Sequence, residues 1–298
     1  MTTFPPPLKE CPPKLGNDQI KQFQEDGYLV FADVLTLEEV DLARKALSRI
    51  AIELQKDPLS IYSAPKGTAK SNQGGASYQR RDCPSMIQLE PGYDPAGRSA
   101  EEIEMKVRKY MWFCREDEIF QRMVSPGSRL YSVVESILGA DPILFQEMSL
   151  VKPPFGGVEK PWHQDNAYFS VSPLSAIMGV WIALDDAEVE NGCMHVIPGG
   201  HKDGALKHHH GTDCEIDPAL LAVERAIPVP VPAGGAMFFY GMLPHETPPN
   251  TSPMRRRALQ FHYRGADTTI IDEAAYDTLF IDRKGVAASC RAASRLGF

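Results

Sequence analysis

The sequence predicts a mainly β chain with bracing helices, a helix-braced β-sandwich. Three observations carry that expectation. Helical patterning lies in the first half and ends near residue 138. From about residue 143 to 265, short apolar runs of strand length alternate with turn residues. No internal repeat and no linker divides the chain. Its 298 residues are therefore read as a Pro-rich arm, 1–15, and a single domain, 16–298. Within that domain a β core at about 143–265 follows a helical part and precedes a C-terminal extension.

Residues 1–15 are read as extended or disordered. Asn17 is placed as the cap of a short helix that Gly27 stops, and Tyr28–Phe31 as a strand. Thr36 and Glu39 make a capping box. Val40, Ala43, Leu47, Ile50 and Leu54 then recur at helical spacing, which marks a core-facing stripe. Residues 58–100 are polar and rich in Gly, Pro and Ser, with Lys66, Lys70, Arg80 and Arg81 among them. A long irregular stretch of this kind is expected to be a lid or disordered. A helical pattern resumes over 101–138, closed by Gly139 and Pro142. Ile177–Leu184 is an apolar run of strand length, followed by a turn at Asp185-Asp186 and Glu190-Asn191-Gly192. Cys193–Ile197, Gly235–Tyr240 and Ala258–Tyr263 read as further strands.

Composition bounds the partners. The net charge is -8 and there is no basic stripe, so no nucleic-acid partner is expected. No apolar run approaches membrane-spanning length, and neither a signal peptide nor a peroxisomal address is read at the ends. The six cysteines lack CxxC spacing; free thiols in a reducing, cytoplasmic setting are expected. The sequence leaves the oligomeric state open.

The chemistry concentrates at His163-Gln164-Asp165. On a strand, the i, i+2 spacing points His163 and Asp165 to one face. Two such ligands hold adjacent corners of an octahedron, and a histidine from a distant strand supplies a third. Two histidines and a carboxylate with three open corners form the ligand set of non-haem Fe(II) oxygenases, which leaves room for co-substrate and O2. An isolated HxD arises by chance in many chains; His245 gains weight from the segment C-terminal to it. A strand, a Pro-rich turn and a returning strand would bring an arginine about ten residues later beside the metal. A guanidinium there can hold the far carboxylate of 2-oxoglutarate in two parallel bonds. Of Arg255, Arg256 and Arg257, two are expected to form a solvated basic turn. His262 shares strand parity with Arg256, Ala258 and Gln260, so Gln260 and His262 would line the same pocket. His208-His209-His210 is read as a solvated loop, and His195 and His201 as structural or supporting residues. Arg80 and Arg81 are read as solvated surface rather than anion contacts.

The segments PWHQDNAYF, WIALDDAEVENGCMHVIPGGHK and PHETPPNTSPMRRRALQFHYR resemble the phytanoyl-CoA dioxygenase family of Fe(II)/2-oxoglutarate-dependent oxygenases. Gln22–Val30 is similar as well, and the likeness runs from about residue 17 to 265. The resemblance implies a double-stranded β-helix, a cupin-like jelly roll. It implies His163, Asp165 and His245 as iron ligands, Arg256 as the 2-oxoglutarate anchor and Thr247 as its hydroxyl neighbour. Trp181 matches a pocket wall and Met148 a co-substrate contact. The implied cofactors are Fe(II), 2-oxoglutarate and O2. The implied reaction is hydroxylation of a small organic substrate with release of succinate and CO2. An acyl-CoA thioester, an osmolyte and a natural product are all open as substrate. Halogenation is disfavoured, because Asp165 occupies the corner a halide needs. The alternative is a non-catalytic jelly-roll metal- or ligand-binding protein.

Overall fold

The computed structural model describes residues 8–64 and 75–296. Two antiparallel sheets pack face to face in a jelly-roll arrangement. The larger orders nine strands: Tyr28–Phe31, Ala236–Tyr240, Ile177–Ala183, Arg256–Arg264, Ile143–Lys152, Val107–Met111, Met86–Leu89, Ser77–Arg80 and Ser60–Ser63. The smaller orders four: Ile227–Val229, Met194–Val196, His245–Thr247 and Lys160–His163.

Burial explains the uninterrupted apolar run at Ile177–Ala183, where all seven residues are buried. Met178, Val180 and Ile182 face a core shared with helix Leu37–Lys56. Trp181 and Ala183 face the smaller sheet through Met194, Val196 and Val229. A strand covered on both faces has no solvent side to alternate with. The long helix buries Val40, Ala43, Leu47, Ile50 and Leu54, and its capping box closes through Glu39 N to Thr36 Oγ1 at 3.2 Å and Thr36 N to Glu39 Oε2 at 2.8 Å. The first helix, Asn17–Asp26, is capped by Gly16 rather than Asn17; the Gln19 side chain accepts from Gly16 N at 3.0 Å.

Four expectations need correction. Residues 101–138 are not wholly helical: Val107–Met111 is a strand in the middle of the large sheet, between helices Ala100–Glu104 and Glu118–Val124. The described part of 58–100 contains a meander of three short strands that extends that sheet, joined and followed by irregular chain. There Arg80 is ion-paired with Asp82 at 2.6 Å, while Lys66 and Lys70 lie outside the described residues. The arm from residue 8 to 15 is built into the fold, with Lys9 bridging Phe31, Cys11 N donating to Asp33 and Leu15 buried; residues 1–7 are not among the described residues. The cysteines are not all free: Cys214 and Cys290 form a disulfide, while Cys11, Cys83, Cys114 and Cys193 are thiols. The disulfide joins hairpin strand Cys214–Ile216 to the C-terminal helix Cys290–Leu296, two segments with no sequence proximity to signal it. No helix among the described residues is long and apolar enough to cross a membrane.

Candidate metal centre

The smaller sheet places two histidines side by side. Strands His245–Thr247 and Lys160–His163 are antiparallel neighbours, and His245 is paired with His163. The strand ends at His163, but Gln164 stays extended (φ -114°, ψ 127°) and Asp165 opens a single 3-10 turn. The i, i+2 geometry therefore survives the end of the strand. Gln164 is buried and pinned: its side chain donates to Gly204 O and Met242 O at 2.8 Å and accepts from Leu206 N at 2.9 Å. Its backbone N–H donates to His208 Nε2 at 3.1 Å.

One donor atom from each of His163, Asp165 and His245 lies within 4.8 Å of the others, and all three residues are buried. His163 Nε2 is 3.3 Å and His245 Nε2 3.8 Å from Asp165 Oδ1. Each histidine turns Nδ1 to a backbone carbonyl, His163 to Pro161 O at 2.8 Å and His245 to Leu243 O at 2.9 Å. An Nδ1–H donating there leaves Nε2 as a bare lone pair. Burial pushes His245 down to about 3, so its ring is neutral. Burial also works against ionisation of Asp165. The His262 ring and its hydrogen bond nonetheless hold that carboxyl well below its usual range. Two nitrogen lone pairs facing a carboxylate oxygen repel one another unless a cation lies among them. The donor set fits a divalent first-row metal.

The larger sheet supplies the opposite wall. Residues paired across antiparallel strands share a face. Arg256 is opposite Lys152, Ala258 opposite Leu150, Gln260 opposite Met148 and Trp181, and His262 opposite Gln146. Asp165 Oδ2 receives His262 Nε2 at 2.8 Å and Gln260 Nε2 at 3.2 Å. Arg256 is 1% exposed, stacks over the Trp181 ring at 5.3 Å and has a hydrogen-bond contact only at 3.5 Å, to Leu150 O. Its Nε has no partner, and no carboxylate among the described residues pairs with it. Burial pushes it down to about 10. Trp181, Met148, Thr247, Gln260, His262 and Arg256 line one cavity of about 650 Å³ together with the His163, Asp165 and His245 set.

The neighbouring residues divide by parity. Arg255 and Arg257 point to the other face, where they pair with Glu104 at 2.9 Å and Asp185 at 2.7 Å. They are largely buried ion pairs rather than the solvated turn expected. His208 is likewise not in a solvated loop. It lies in strand His208–His210, is 1% exposed, and burial pushes it down to about 3. His195 sits 3.5 Å from Glu246 and His201 contacts Gln24 O at 3.1 Å, away from the metal set.

Sequence reasoning missed several cavity residues. Lys109 lines the cavity opposite Leu150, pushed down to about 8 chiefly by burial, with Lys160 and Arg108 adding to the effect. It went unseen because its strand reads as helix. Phe145, packed edge-on against Phe169 at 4.9 Å, and Lys152 also line it. Lys152 keeps the parity of Met148 along Ile143–Lys152, so the period of two would have found it.

The fold and the site together define a jelly-roll oxygenase of the non-haem iron, 2-oxoglutarate-dependent class, an oxidoreductase that uses Fe(II), 2-oxoglutarate and O2. The family model for phytanoyl-CoA dioxygenase (PhyH) matches residues 23–258, and the chain belongs to that family. Phytanoyl-CoA dioxygenase domain-containing protein 1 of Danio rerio is 28% identical over 268 residues, covering 86% of this chain and 92% of that protein. Phytanoyl-CoA dioxygenase 1 of Oryza sativa subsp. japonica is 27% identical over 253 residues, covering 83% and 88%. Among solved structures, EctD from S. alaskensis with bound Fe superposes with a TM-score of 0.62 at 20% identity, covering 84% of this chain and 77% of that one. EvdO2 from Micromonospora carbonacea complexed with 2-oxoglutarate gives 0.58 at 23% identity, covering 87% and 94%. At these identities the structures speak to the shared fold.

Proposed function

We propose that the chain hydroxylates a small organic substrate, converting 2-oxoglutarate and O2 to succinate and CO2, with His163, Asp165 and His245 as the iron ligands. Iron held there supplies oxygen activation and C–H oxidation. The chain's residues supply position and electrostatics. The carbonyls of Pro161 and Leu243 fix the two imidazoles with Nε2 forward. His262 and Gln260 occupy Asp165 Oδ2, which leaves Oδ1 for the metal. Arg256 receives the far carboxylate of 2-oxoglutarate beside the Thr247 hydroxyl, while Trp181 and Met148 wall its carbon chain. Phe145 and Phe169, next to His262, form an apolar wall for substrate.

The observation that carries this reading is the buried, unpaired guanidinium in the same cavity as three converging metal donors. A buried charge without a partner is costly, and an anionic ligand removes that cost. The test is anaerobic addition of Fe(II) and 2-oxoglutarate, expected to raise a weak visible absorption band. A succinate-release screen over acyl-CoA thioesters, osmolytes and natural products then identifies the substrate. No band and no succinate would leave a jelly-roll binding protein without this activity.

A further inference from the structure

A second buried basic side chain stands beside Arg256. Lys152 is 4% exposed, lies opposite Arg256 in the register and lines the same cavity. Its Nζ donates to Val158 O at 2.8 Å and Thr247 O at 3.2 Å. Among the described residues no carboxylate pairs with either side chain. The lysine stem is enclosed by two glycines in the left-handed region, Gly157 at φ +77° and Gly192 at φ +83°. A Cβ on Gly157 would lie 2.8 Å from Lys152 Cβ and Cγ, and one on Gly192 would lie 3.0 Å from Lys152 Cδ. The Asn191-Gly192 turn thus holds the amine in one place.

That place suits a neutral amine. A neutral amine has two N–H groups, and two carbonyls accept them. Two like charges buried side by side are unfavourable, so one of them gives up its proton first, and lysine does so more readily than arginine. The surrounding groups agree: burial, then Arg256 and Arg108, push Lys152 well below the usual lysine range against the opposing pull of Glu90 and Glu159. Adding a proton turns the lone pair into a third donor, and an incoming carboxylate favours that change.

We propose that Lys152 is a second, proton-gated cation of the co-substrate site, neutral in the ligand-free protein and protonated when the distal carboxylate of a dicarboxylate docks beside it and Arg256. Each binding event then transfers one proton from solution to Lys152 Nζ. The proposal rests on the reading of this cavity as the 2-oxoglutarate site.

The experiment is calorimetric titration of 2-oxoglutarate into the anaerobic Fe(II)-loaded protein, in phosphate and in Tris at the same near-neutral pH. The two buffers differ in ionisation enthalpy, so uptake of one proton makes the observed heats differ by about the difference between the two ionisation enthalpies per site. Affinity should also fall with rising pH, by about tenfold per pH unit where one proton is linked. Lys152→Met should lose both effects. Lys152→Gln, which keeps two neutral N–H donors, should lose them as well and covers the case in which the Met variant does not fold. Equal heats in both buffers with 2-oxoglutarate bound would overturn the proposal, as would buffer dependence that persists in a folded variant. Absence of binding to the wild type would instead overturn the co-substrate reading itself.

Discussion

Arg256 buries a charge for which no carboxylate among the described residues is a partner, whereas Arg255 and Arg257 each have one. Arg256→Ala should therefore cost about 2–5 kcal/mol of 2-oxoglutarate binding, at least ~30-fold in affinity. Arg255→Ala and Arg257→Ala should leave that affinity nearly unchanged and lower the unfolding midpoint, since Glu104 and Asp185 lose their cations. Anaerobic titration of the three variants separates these outcomes. A large affinity loss in either neighbour, with Arg256→Ala unaffected, would mean that the strand is misplaced by one residue. His262 acts differently, through the oxygen of Asp165 that faces away from the histidine pair. Groups that orient a ligand typically contribute about 10–100-fold in metal affinity. His262→Leu should lose that much in Fe(II) or Co(II) titration; an unchanged dissociation constant would reduce His262 to a cavity wall.

At the scale of elements, hairpin strand His208–His210 supports the metal turn through Gln164. His208 and His245 are both held near 3, below the 6.5 of a free imidazole. The unfolded chain thus binds more protons than the folded one in that interval. The stabilising contribution is complete above pH 6.5 and is lost as pH falls toward about 3. Acid unfolding of the metal-free protein should track this loss, and His208→Asn should flatten it; an identical acid limb in the variant would dismiss the contribution. Legibility also divides by element. The HxD turn and the His245-to-Arg256 segment could be read because their spacings are local. Strand Val107–Met111 could not: it lies between two helices, and its inner side chains include the polar Lys109. Strands Ser60–Ser63 and Ser77–Arg80 at the sheet edge carry polar residues, so they resemble loop. Lys109 and His208 enter the site through long-range pairing that no local pattern encodes.

Across the whole molecule, the Cys214–Cys290 disulfide spans 76 residues of sequence and ties the C-terminal helix to the hairpin that carries His208. A crosslink of that span restricts the unfolded chain by about 4.5 kcal/mol on the loop-entropy estimate. Reductant should lower the thermal midpoint of the wild type, and Cys290→Ser should match the reduced protein without added reductant. Equal midpoints for all samples would show the bond to be energetically silent. The two sheets have a further consequence. The metal-binding histidines belong to the smaller sheet, and Arg256 belongs to the larger one. Only residues 248–255 connect the strand of His245 to the strand of Arg256. On the proposed reading, a co-substrate gripped at both ends would bridge the sandwich, and the gap between the sheets would work as a calliper for its length. Oxaloacetate, one carbon shorter, should reach one jaw at a time, and 2-oxoadipate, one carbon longer, should have to buckle. Chain-length selectivity is then a property of how two sheets are spaced rather than of any one side chain.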